Sequence, residues 1–78
     1  MSIEALAEFI RIELLDDENQ KIGPDDDLLL SELLNSLSVT RLVQHIEEQQ
    51  GIIVPPEDVT LENFRTLNAI QTYLQGRA

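Results

Sequence analysis

Apolar residues recur at helical spacing in three stretches of the chain. In the first, Ile3, Leu6, Ala7, Ile10 and Leu14 alternate with Glu4, Glu8, Arg11 and Glu13, and Ser2 stands where an N-cap belongs, which predicts a helix over residues 3–15. Phe9, Ile12 and Leu15 widen its apolar stripe, as expected of a helix packed between two neighbours. In the second, Leu37, Leu42, Val43 and Ile46 follow Asn35, a strong N-cap residue, and Gly51 supplies a stop, so a helix is predicted over 36–50. Glu47 and Glu48 stand near its C-terminus, against the helix dipole, for no reason visible in the sequence. In the third, Thr66 caps a helix that turns Leu67, Ala69, Ile70, Tyr73 and Leu74 toward the core and ends at Gly76.

Between these stretches the periodicity is lost. Asp16 to Gln20 is polar, Gly23-Pro24 signals a turn, and Asp25, Asp26 and Asp27 put like charges side by side. A loop this long in so short a chain is expected to be tied down or functional. Ile22, Leu28, Leu29, Leu30, Leu33 and Leu34 are the expected anchors, with Asp27 capping a helical turn across Leu28 to Leu33 and Asp25 to Asp27 forming a solvated lead-in. Ile52-Ile53-Val54 is β-branched, but Pro55-Pro56 follows and no second run exists to pair with it, so a buried extended connector is expected. Pro56 to Val59 and Thr60 to Phe64 each suit one helical turn. The predicted fold is all-α: a small four-helix bundle in one domain over residues 1–78, with three longer helices, one short one, and a long loop between the first two.

Composition narrows the chemistry. A chain of 78 residues buries about 60% of the surface that its unfolded form exposes, and this one has no Cys, no Trp and a single histidine, His45. Disulfides and a zinc centre are excluded, and no metal site is expected. The net charge is −10, from 15 acidic and 5 basic residues with no basic cluster, so binding to nucleic acid or to an anionic membrane is not expected. No apolar run is long enough to span a bilayer, no amino-terminal leader is evident, and a cytoplasmic monomer is the expectation. The acidic loop does not match a calcium-binding EF-hand. In the register from Asp25 the sixth and twelfth positions are Leu30 and Ser36, and from Asp16 they are Lys21 and Asp27, where Gly and Glu are required.

Ser36 is the residue on which chemistry could be carried. Catalysis by its hydroxyl would need a nearby base, yet His45 lies nine residues further along the same helix, about 13 Å away at 1.5 Å per residue. A hydrolase is therefore excluded, and no catalytic residue is assigned. At the first turn of a helix, unpaired amides and the helix dipole favour an anion, so a phosphodiester on this hydroxyl would be well placed. Taken alone, the same serine is more readily a helix-start residue and nothing more.

Asn35-Ser36-Leu37, the helix from Leu37 to Gln50, the Gly51-Ile52-Ile53-Val54-Pro55 connector and the closing Phe64-Arg65-Thr66-Leu67-Asn68-Ala69-Ile70 segment together resemble the acyl carrier proteins and the related peptidyl carrier modules. The resemblance covers nearly the whole chain. It implies a non-enzymatic, standalone carrier in which 4'-phosphopantetheine is attached to Ser36 by a phosphopantetheinyl transferase. The thiol of the arm, which a chain without Cys cannot supply, would bear an acyl or aminoacyl thioester in fatty-acid, polyketide or nonribosomal-peptide-like biosynthesis. The resemblance also implies a loosely packed core able to shelter an acyl chain. Asn35 and Leu37 flank the attachment point, and Leu37, Ser38 and Arg41 would meet partners: the transferase, a loading enzyme, and a downstream synthase or transferase. Two positions depart from the family pattern. Asn35 stands in place of the usual Asp, and Ser38 and Arg41 stand where carboxylates are common. A dedicated set of partners is therefore expected rather than the general fatty-acid machinery. The rival expectations are an unmodified acidic helical module that binds a basic partner, and a degenerate carrier in which Asn35 has ended modification.

Overall fold

The computed structural model describes residues 2–77 and contains, among these, four helices and no strand. The first helix, α1 (Ile3–Phe9), is capped by Ser2, whose hydroxyl accepts from Ala5 N at 3.1 Å. It runs without a break into a π-helical turn, Ile10–Leu14, in which Leu15 N donates to Ile10 O at 2.9 Å. Asp16, at φ 51°, then ends it in the left-handed region. The helix expected over 3–15 is thus present, but its last turn is wound wider. Hydropathy spacing does not distinguish the two windings, because both leave Ile10 buried. α1 packs on the last helix and the π-helical turn on the second, which gives the first helix its two neighbours. Ile12, read as part of the buried stripe, instead faces solvent.

Helix α2 (Ser36–Gln50) buries Leu42 and Ile46, and Asn35 caps it as predicted. Gly51 closes it at φ 64°, a conformation that a side chain would strain, and the amides of Gly51 and Ile52 both donate to Glu47 O. The position of Glu47 now has a reason. Its carboxylate accepts from Val54 N at 2.8 Å and holds the connector to the end of the helix. The connector is extended, so its side chains alternate: Ile52 is half-buried, Val54 buried, and Ile53 points to solvent with 75% of its surface exposed. The extended, buried connector expected here is thus extended, with Val54 buried, Ile52 half-buried and Ile53 not buried at all. The two-residue period of extended backbone rules out burial of all three on a surface with only one apolar side.

A 3-10 turn, Pro56–Asp58, leads to the short α3 (Leu61–Phe64), capped by Thr60, and then to α4 (Leu67–Arg77), where Thr66 Oγ1 accepts from Ala69 N at 3.0 Å. Gly76 does not end α4, which continues to Arg77. Tyr73 on α4 donates to Asp58 Oδ2 at 2.6 Å, and its ring tilts against Phe64 at 5.8 Å. Burial first, and then the bond to Asp58, push the Tyr73 phenol above its ordinary pKa. Leu6, Ile10, Leu42, Ile46, Phe64, Leu67 and Ile70 form the centre of one apolar cluster.

The long loop is strapped across the junction of α3 and α4. Asn68 donates from its amide side chain to Asp25 at 2.7 Å and from its backbone to Pro24 O at 3.0 Å. Arg65 pairs through Nε with Asp27 Oδ2 at 2.9 Å, while Arg65 O accepts from Leu28 N at 2.7 Å. Asp26 accepts from Gly23 N and closes a local turn. Asp25 and Asp27 are therefore fastened to donors that sequence adjacency does not reveal, while Asp26 bonds three residues back; Asp25 and Asp26 keep the exposure expected of a solvated lead-in, and Asp27 is half-buried. Leu28 and Leu34 are buried anchors, and Ile22, Leu29 and Leu33 are half-buried, but Leu30 is 62% exposed. Asp27 caps a turn by accepting from Leu29 N and Leu30 N, with Ser31 donating back to Asp27 O, yet no helix follows. Glu32, at φ 62°, turns the chain left-handed and ends any helical run at a cost on the order of 1 kcal/mol.

Candidate functional site

Ser36 is the first residue of α2. Asn35, in extended backbone (φ −99°, ψ −178°), aims its side-chain oxygen at Ser38 N, 2.8 Å away, and its carbonyl accepts from Val39 N at 2.9 Å. The cap thus occupies the third and fourth amides of the helix. In helical geometry the amides of Ser36 and Leu37 have no partner four residues back, so they remain oriented along the positive end of the helix dipole. No acidic residue lies in this first turn to neutralise that end. Ser36 itself is exposed, and its carbonyl accepts from Thr40 Oγ1 at 3.0 Å, one turn on.

The neighbouring surface is concave. A groove of about 650 Å³ runs between the end of the strap, the start of α2 and α3. Ser36, Asn35 and Thr40 line it beside Glu32, while Leu29, Leu34, Val39, Val59, Leu61 and Phe64 supply apolar walls. Nothing in the hydropathy pattern or the motifs of the chain marks this groove. Its walls come from residues 29–40 and 59–64, two segments brought together by the fastening of Asp27 and Leu28 to Arg65 and by the shared burial of Leu34 and Phe64. The short turn chemistry at Thr60 and the left-handed Glu32 are the only local features that mark it.

Leu37, Ser38 and Arg41 occupy the outer side of the same helix end. Leu37 is 70% exposed, Arg41 is exposed and Ser38 is half-buried. His45 lies elsewhere: its ring stacks on Phe9 of α1, with centroids 3.8 Å apart and planes 10° from parallel. The imidazole is thus engaged against the first helix, and no base faces the Ser36 hydroxyl from it. Among the described residues, no three carboxylate or histidine side chains converge to hold a metal ion, and no helix is long and apolar enough to cross a membrane.

Asp27 has the one notable acid–base feature in this region. Desolvation raises its pKa, but the amides of Leu30 and Leu29 and the Arg65 guanidinium outweigh that and hold the carboxyl below its ordinary value. The charged form is the one the strap uses.

Comparison with known proteins bears on the same segment. No solved structure matches the chain. The family model described as "phosphopantetheine attachment site" matches residues 2–74, which takes in all four helices, the strap and the groove apart from the last residues of α4. Domains of this family bear 4'-phosphopantetheine covalently on a serine and are typically carriers rather than catalysts. With an exposed serine at the mouth of α2, an all-helical fold and this match across almost its full length, the chain belongs to the phosphopantetheine attachment site family of carrier domains.

Proposed function

We propose that Ser36 is the attachment serine and that the protein is a non-enzymatic carrier, presenting an acyl or aminoacyl thioester to successive biosynthetic enzymes. The observation that carries this reading is the exposed Ser36 hydroxyl at the uncompensated amino end of a 15-residue helix, on the rim of an apolar-walled groove. The residues present fit the group. A phosphodiester there would meet the free amides of Ser36 and Leu37 and the helix dipole, with Asn35 leaving both amides available because its own oxygen is spent on Ser38. When attached, the arm supplies the thiol that this Cys-free chain lacks.

The chain's own residues have separable tasks in this reading. Asn35 fixes the helix start and so the direction of the Ser36 hydroxyl. Leu37, Ser38 and Arg41 form the surface that a phosphopantetheinyl transferase and the loading and downstream enzymes contact. The apolar groove walls offer shelter for an acyl chain. Because this helix start carries Asn35, Ser38 and Arg41 rather than carboxylates, the partners are a dedicated set, and carriage in a pathway distinct from general fatty-acid synthesis follows.

Intact mass after incubation with coenzyme A and a broad-specificity phosphopantetheinyl transferase tests the reading. Wild type should gain one phosphopantetheine and Ser36→Ala none. An unmodified wild type ends the reading of a working carrier, and a modified Ser36→Ala ends the assignment of Ser36.

A further inference from the structure

The exposed stripe of α2 has an unusual order of charge. Leu37, Arg41, Gln44 and Glu48 recur at helical spacing and all are exposed, so the stripe reads apolar, positive, neutral, negative from the Ser36 end. Arg41 is the feature that needs explaining. Acidic residues outnumber basic ones three to one (15 against 5), yet the four helix neighbours able to pair with Arg41, namely Leu37, Ser38, Gln44 and His45, include no acid. Of the three other arginines, Arg65 pairs with Asp27, Arg77 donates to the Ile53 carbonyl at 2.6 Å, and Arg11 is half-buried on the first helix with its Nε unpartnered, so none of them shares the exposed face of Arg41 beside Ser36. Glu47, further along the helix, is turned to Val54 N. Arg41 is therefore a cation held free beside an exposed leucine, on a molecule of net charge −10.

Resting on the assignment of Ser36, we infer that α2 is read by enzymes whose docking patch combines an apolar hollow for Leu37 with a carboxylate for Arg41. At 1.5 Å per residue the carboxylate sits about 6 Å along the helix axis from the hollow, and a basic group suited to Glu48 lies about 16 Å from it. The overall field of the carrier still steers it to a surface of positive character. The local charge then sets the register: a patch uniformly basic along α2 meets Arg41 with like charge, and a patch with an acid at that point does not. Arg41 is thus a specificity determinant for enzymes that visit Ser36.

Phosphopantetheinyl transfer, followed by intact mass and initial rate, provides the test. The probe is a transferase with a basic residue opposite position 41 when docked, used as it stands and with that residue reversed to Glu. Each form is assayed with wild type, Arg41→Glu and Arg41→Gln, whose folding is checked by circular dichroism. Wild type should show a KM about tenfold lower with the Glu form, Arg41→Glu should reverse that preference, and Arg41→Gln should lose it, with all gaps narrowing in salt. Leu37→Ala should raise KM with both forms. Equal KM values for wild type with the two forms, or a preference for the basic form, overturn the inference while leaving Ser36 in place. No mass gain in any combination removes the reading of a working carrier and this inference together.

Discussion

Asp27 and Arg65, 38 residues apart in sequence, form an ion pair at 2.9 Å that joins the two walls of the groove beside Ser36. One step along the chain in each direction lies a wall residue: Leu29 follows Leu28, whose amide is bound to Arg65 O, and Phe64 precedes Arg65. A surface pair is worth little by itself in water. Here it acts with a cap on Leu29 and Leu30 and with the Leu28 backbone bond, so its loss loosens a whole strap.

Asp27→Asn should lower the melting temperature at neutral pH and speed amide exchange at Leu28 and Leu34 ahead of Ile46 and Ile70. The sign of the pH dependence follows from the depressed pKa of Asp27. The stabilisation is full above the unfolded-state value of about 3.9 and is lost as pH falls through the lower folded-state value. The gap between wild type and variant should therefore persist from pH 7 to about pH 5 and close in more acid solution. Thermal melts across that range decide the matter, and a gap that widens on acidification would contradict it.

Asn35 bears on both stability and modification. Asn35→Ala leaves Ser38 N without its acceptor and should cost about 1 kcal/mol in urea unfolding. Asn35→Asp keeps the acceptor and adds a negative charge at the positive end of α2, and should gain about 0.5 kcal/mol at low ionic strength. If wild type is a working carrier, phosphopantetheine addition occurs in both wild type and Asn35→Asp. Modification of the Asp variant alone would identify a carrier that Asn35 has silenced.

Glu47 joins helix end to connector. Glu47→Ala removes the acceptor of the Val54 amide and should cost about 1–2 kcal/mol, whereas Glu47→Gln retains a side-chain oxygen and should recover most of it. Urea titration of the three proteins measures this. Equal losses in both variants would show that charge, rather than the hydrogen bond, is what matters there.

The helices, and the serine at the start of α2, were legible because their signals are local. Ser2, Asn35, Thr60 and Thr66 each cap an amide three residues away, and Gly51 takes the left-handed turn that its lack of a side chain permits. Spacing at 3.6 residues then identifies Leu42, Ile46, Leu67, Ile70 and Leu74 as core. The bounds of α2, Ser36–Gln50, follow from cap and stop alone.

The tertiary structure decided everything that depends on residues far apart in the chain. It made Asp25 and Asp27 fastenings to Asn68 and Arg65, turned Leu30 and Ile53 outward, wound the end of the first helix into a π turn, and formed the groove at Ser36 from the strap and α3. Hydropathy says that a leucine is worth burying, but only packing determines which of the five leucines between Leu28 and Leu34 reach the core. Caps and periodicity act over one or two turns of helix. A groove exists only where separate segments meet, so the place of Ser36 at the start of α2 was legible in the sequence and the groove beside it was not.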